Sequence, residues 1–152
     1  MKTESGRSLI EVIGVLAIAG IMTAGAIGGY NIIRKSQTRT IATTQIKQIA
    51  QDAKMLMEMR GSYEGISIDY LIKAGALNSN VAPIGGDAWS VVSSVDGASF
   101  SINLVDLTQS ECDYFTATKP EWAAAVLVNG YEANNADACF ESATNQVSFI
   151  IE

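Results

Sequence analysis

The chain's fold is decided near its start, at Gly6-Arg7-Ser8-Leu9-Ile10-Glu11-Val12-Ile13-Gly14-Val15-Leu16, which continues apolar through Gly28-Gly29-Tyr30. From 9 to 30 the stretch holds one charge, Glu11. Roughly 20 apolar residues at 1.5 Å each suffice for a helix to cross a bilayer. A carboxylate inside such a segment costs about 2–3 kcal/mol or more when unpaired, so Glu11 is a functional candidate. Ahead of it lies only a short polar stretch, 1–6.

The same helical pattern runs on past Arg34-Lys35, where it becomes striped. Ala42, Ile46, Ile49, Ala50, Ala53, Leu56 and Met57 recur at three- and four-residue steps. Gln45, Lys47, Gln48, Gln51, Asp52 and Lys54 fill the other face. No proline interrupts residues 9–60, and Gly61 is a natural stop. The pattern predicts one helix of about 50 residues, roughly 75–80 Å long. Its first half is apolar all round, and its second half must pack one side on something. Gly25 and Gly29 stand one turn apart, a spacing that allows close helix packing, and Gly28-Gly29 lowers local helix propensity by about 2 kcal/mol in water.

The remaining chain reads as a small α+β head. Ser67 caps a short helix over 68–74, with Gly75 past its end. Residues 78–86, with Pro83 and Gly85-Gly86, form loop. Strands over 88–95 and 98–105 flank Asp96-Gly97, a tight-hairpin signal. Thr108 and Glu111 make a capping box for a helix carrying Cys112 and packing Tyr114 or Phe115. Residues 123–128 read as a buried strand ended by Asn129-Gly130. Residues 131–142 read as polar loop, and 146–151 as a last strand. The expected architecture is a long helix covered by an antiparallel sheet of about three to five strands.

Composition narrows the function. The 152 residues carry a net charge of -6, which argues against a nucleic-acid partner, and contain no histidine, the commonest general base and metal ligand. No phosphate loop, GxSxG or zinc spacing is present, so neither an enzyme nor a cofactor is expected. Asp106, Glu111 and Asp113, and likewise Glu132, Asp137 and Glu141, read as solvated acidic faces rather than calcium sites. Gly85-Gly86 lacks the helix and cation of a phosphate cradle, and Trp89 and Trp122 read as packing or surface residues. Cys112 and Cys139 are too far apart for a CxxC pair. Outside the cytoplasm they would form one disulfide, contributing roughly 3–4 kcal/mol in the chain-entropy model; inside it, two buried thiols. The charges flanking the apolar span favour a cytoplasmic head and the cysteines the opposite side, which leaves the orientation open. A cleaved signal peptide ending near Ala24-Gly25-Ala26 is disfavoured, because apolar residues continue past that point and Glu11 interrupts the apolar core, and a plain uncleaved anchor is disfavoured with it.

Gly6-Arg7-Ser8-Leu9-Ile10-Glu11 followed by an apolar run resembles the processing site of type IV prepilins. Glu11 through Leu16, Thr23-Ala24-Gly25, Pro83-Ile84-Gly85-Gly86 before a strand, the widely spaced cysteines and a strand close to the C-terminus resemble type IVb major pilins in particular. Arg7 departs from the family, which usually places an apolar residue there. The resemblance implies a leader at 1–6, a long helix at 7–60 and a head at 61–152. Within the helix, 7–30 would form the membrane or filament core and 31–60 would pack on the head. It further implies cleavage between Gly6 and Arg7 by a membrane prepilin peptidase, with methylation of the new amino terminus at Arg7. Glu11 of one subunit would then neutralise the amino terminus of its neighbour, because two charges in an apolar core are tolerable together and costly alone. The partners implied are further copies in a helical homopolymer, the peptidase, an inner-membrane assembly platform and, before assembly, membrane lipid. The precursor would sit in a bacterial inner membrane with a periplasmic head, and the product in an extracellular pilus. A minor pilin or a pseudopilin of a type II secretion system shares the N-terminal physics. A membrane-anchored periplasmic binding module that never polymerises would need neither Glu11 nor the glycine before Arg7.

Overall fold

A computed structural model describes residues 9–117, 119–133 and 138–152. The elements in chain order are α1 (Leu9–Glu58), α2 (Ile68–Lys73), β1 (Ser90–Ser93), β2 (Phe100–Leu107), α3 (Gln109–Thr116), β3 (Ala125–Val128), β4 (Tyr131–Glu132) and β5 (Asn145–Ile151). The fold is α+β, a 50-residue N-terminal helix with a five-stranded antiparallel sheet in the order β1-β2-β5-β3-β4. The chain divides into two compact units at Thr38/Arg39.

Among the described residues, every buried apolar side chain belongs to the unit from Arg39 onward. The striped half of α1 behaves as its periodicity requires: Ala42, Ile46, Ile49, Ala50, Ala53 and Met57 are buried in one cluster with the sheet. Leu56 packs partly against that cluster. The strands alternate as a half-buried sheet should. Val91, Ile102, Phe149 and Val126 form one cross-strand row, and Leu104, Val147 and Val128 the next. Just past α1, Gly61 takes a left-handed φ of 72°, which an L side chain resists, so the helix ends there. α2 starts at the expected cap, with the Ser67 hydroxyl accepting the Tyr70 N–H at 3.1 Å. Trp89 is buried, and its indole N–H donates to the Asn80 carbonyl at 2.7 Å.

Two turns depart from the sequence reading. The hairpin around Asp96-Gly97 is not tight: β1 ends at Ser93, β2 starts at Phe100, and Ser94 N–H donates to the Ser99 carbonyl across a longer loop. A two-residue type I′ turn needs positive φ at both central residues, and here Gly97 alone of the pair has it. The Asp96 carboxylate instead ties the loop together, accepting from the Ser94 hydroxyl at 2.5 Å and the Ala98 N–H at 3.1 Å. Those two bonds hold its carboxyl below the ordinary range. The two-residue hairpin occurs at Asn129-Gly130, where φ is 49° and 89°. Thus Tyr131–Glu132, expected to be loop, forms β4 paired with β3.

A bulge in β2 shifts its register between Leu104 and Leu107 and puts Asp106 at φ 54°. The Gly85-Gly86 loop crosses there, with Gly86 N–H donating to the Val105 carbonyl at 2.8 Å. A Cβ on Gly85 would lie 2.3 Å from that carbonyl oxygen, so only glycine fits. The pair of glycines therefore allows the loop to pack closely on the β2 backbone.

Candidate assembly site

The site expected from the sequence lies on the first half of α1. Over this stretch the helix is apolar on every side and none of it is buried, with Leu9, Ile10 and Ile21 each at least three-quarters exposed. A helix of this kind is stable only when something apolar surrounds it. It is the one helix among the described residues long and apolar enough to cross a membrane. Threonine hydroxyls along this part of α1 bond back to the helix's own carbonyls. Thr23 Oγ1 donates to the Ala19 carbonyl at 2.8 Å and Thr38 Oγ1 to the Arg34 carbonyl at 2.9 Å, so neither needs water.

Glu11 sits exposed in the first turn of α1, among Ile10, Val12, Ile13 and Val15. An acid there is favoured by the positive end of the helix dipole, by about 0.3–1 kcal/mol. That is less than the cost of carrying the charge alone into an apolar medium. The cleavage junction expected at Gly6–Arg7 and the methylation expected at Arg7 lie outside the described residues. Gly25, Gly28 and Gly29 lie within unbroken helix, and a Cβ on any of them would meet nothing within 4 Å. Gly25 and Gly29, one turn apart, share a face that leaves the backbone open to close approach.

Beyond Arg39, α3 carries Cys112, and Cys139 lies in the loop that precedes β5. Glu111 and Thr108 close the capping box, Thr108 N–H donating to Glu111 Oε2 at 2.9 Å and Glu111 N–H to Thr108 Oγ1 at 3.4 Å. This fixes α3 so that Cys112 and Phe115 point inward, while Tyr114 is partly exposed beneath the Arg39 guanidinium, 5.6 Å from its ring. Cys112 and Cys139 are joined as a disulfide, with Cα atoms 5.9 Å apart.

What the sequence reading missed lies beside Cys139. Asn145 is completely buried, the most enclosed polar side chain among the described residues. Its Oδ1 accepts the Phe140 N–H at 2.6 Å and Asn129 Nδ2 at 3.1 Å. Its Nδ2 donates to the carbonyls of Leu107, Phe140 and Ser142, at 3.1, 2.9 and 2.9 Å. The signal available was an asparagine heading the apolar alternation Val147, Phe149, Ile151. The acidic groups singled out earlier do not converge: among the described residues no three Asp, Glu or Cys side chains are placed to hold a metal, and Asp137 lies outside them. Trp122 packs partly against the core, its ring 5.2 Å from Phe149. Compared with known proteins, the chain matches no family model and no curated sequence.

Proposed function

We propose that this chain is the structural subunit of a type IV pilus filament, of the IVb sort, processed at Gly6–Arg7 and polymerised through the first half of α1. The observation that carries the reading is the pairing of an uncovered, wholly apolar half-helix with a carboxylate in its first turn. A monomeric anchor needs the apolar helix and gains nothing from Glu11. A bundle of parallel helices needs both, because Glu11 can meet a neighbour's ammonium where the two charges neutralise each other. In this reading the prepilin peptidase cleaves after Gly6, lipid surrounds the segment before assembly, and other copies added at an inner-membrane platform surround it afterwards. The open face at Gly25 and Gly29 lets neighbouring helices approach closely. The head stays outside the cytoplasm, where the Cys112–Cys139 bond forms.

The test is mass spectrometry of the N-terminal peptide from material sheared off cells. A peptide starting at Arg7, with or without one added methyl group, is the expected result. An uncleaved N-terminus confined to membranes, or a start near Ile27 in the medium, would overturn the proposal in favour of an anchored or secreted single domain.

A further inference from the structure

The disulfide is one of two devices that fix residues 138–142, and the other makes no use of sulfur. Asn129 Nδ2 donates to the Ala138 carbonyl at 2.7 Å, just before Cys139. Asn145 takes the Phe140 N–H and gives to the carbonyls of Phe140 and Ser142, just after it. The two asparagines bond to each other and to β-strand backbone. Asn129 Oδ1 accepts the Gln146 N–H at 2.9 Å, and Asn145 reaches the Leu107 carbonyl at the end of β2. Cys139 is therefore held on both flanks by side chains anchored in the sheet. Its partner is equally fixed: Cys112 N–H donates to the Thr108 carbonyl at 2.9 Å inside the capped α3.

We propose that Asn145, assisted by Asn129, is the positioning residue for oxidation of the Cys112–Cys139 pair. It lays 138–142 along the sheet edge before the sulfurs join and keeps the segment there when they are reduced. The thiols lie 27 positions apart in sequence, so an unanchored segment would bring them together only at the expense of closing that whole loop. With the flanks of Cys139 already bonded, most of that closure is complete before oxidation, which raises the effective concentration of one thiol at the other. The reaction needs an external oxidant, here a small disulfide such as oxidised glutathione. One cysteine thiolate displaces a glutathione thiolate to give a mixed disulfide, and the second displaces the other. The protein gains one S–S bond, and two glutathione thiols leave carrying the two hydrogens. This proposal stands independently of the filament reading.

The experiment uses the full chain in detergent, equilibrated with reduced and oxidised glutathione. Asn145→Ala is expected to lower the equilibrium constant for disulfide formation about tenfold or more. Val147→Ala, equally buried on β5 but making no bond to 138–142, should leave it within about twofold. No change in Asn145→Ala, or an equal fall in both variants, would overturn the proposal. The Cys112→Ser, Cys139→Ser protein supplies a second reading that needs no Asn145 variant to fold. Its Phe140 amide should stay protected from hydrogen exchange, and exchange at the free-peptide rate would sink the idea.

Discussion

At the scale of single residues, Glu11 is the place where chemistry and energetics conflict. Its charge is tolerable at a helix N-terminus in water and costs about 2–3 kcal/mol in an apolar medium. Glu11→Gln keeps the shape and removes the charge. The expected outcome is an unchanged melting temperature for the head and normal membrane insertion, with filaments lost or sharply reduced in sheared fractions viewed by electron microscopy. Normal filaments would show that the carboxylate is incidental. Tyr63 makes a second residue-level case, outside the apolar segment. Burial, and then the Glu58 carboxylate, push its phenol above the ordinary tyrosine range, and its ring packs at 4.8 Å on Phe100. A raised pKa in the folded state means that the associated stability is intact below about pH 10, the unfolded value, and is lost as pH rises through the folded one. Tyr63→Phe should therefore melt with less loss between about pH 9 and about pH 11 than the parent chain. Parallel losses in both would assign the alkaline sensitivity to other groups.

At the scale of elements, α1 is two helices in one. Its second half obeys an ordinary amphipathic pattern, and that pattern predicts where substitutions hurt. Ile46, fully buried, should cost about 2–5 kcal/mol as Ile46→Ala, whereas exposed Ile41 should change thermal stability by less than about 0.5 kcal/mol. Thr108→Ala, which opens the α3 capping box, should cost about 0.5–2 kcal/mol in the same melts. Equal effects at Ile41 and Ile46 would mean that the stripe does not face the core. These elements were legible in the sequence because their causes are local: a period, a cap, a glycine stop. Turn chemistry was half legible. Asp96-Gly97 and Asn129-Gly130 carry the same kind of signal, yet only the second adopts positive φ at both residues. At the first, the Asp96 side chain captures Ser94 and Ala98 and makes a wider loop preferable. Asn145 was not legible, because its partners come from Leu107, Asn129, Phe140 and Ser142. Only the assembled sheet brings those groups to one buried point, and no local pattern reports that.

At the scale of the whole molecule, core and apolar segment are separate resources of one chain. No buried residue precedes Ala42 among the described residues, and the second compact unit begins at Arg39. The head's stability therefore should not depend on anything before Arg39. That start retains the Arg39 contacts with Ser110 and Tyr114. A fragment from Arg39 to Glu152 loses only unpacked helix, plus end effects of about 1 kcal/mol from the newly exposed N–H groups. It should be monomeric without detergent and unfold in one cooperative step, near the melting temperature of the detergent-held full chain. Reductant should lower that step by about 2–4 kcal/mol, the usual range for one disulfide. The reduced fragment should still melt cooperatively, because the Asn129–Asn145 network and the sheet remain. The full chain without detergent should behave oppositely and associate through its uncovered apolar half-helix, since such a surface is far larger than a soluble monomer leaves exposed. A fragment that fails to fold would place essential packing before Arg39, and a full chain that stays monomeric in plain buffer would mean that the half-helix needs no apolar surroundings.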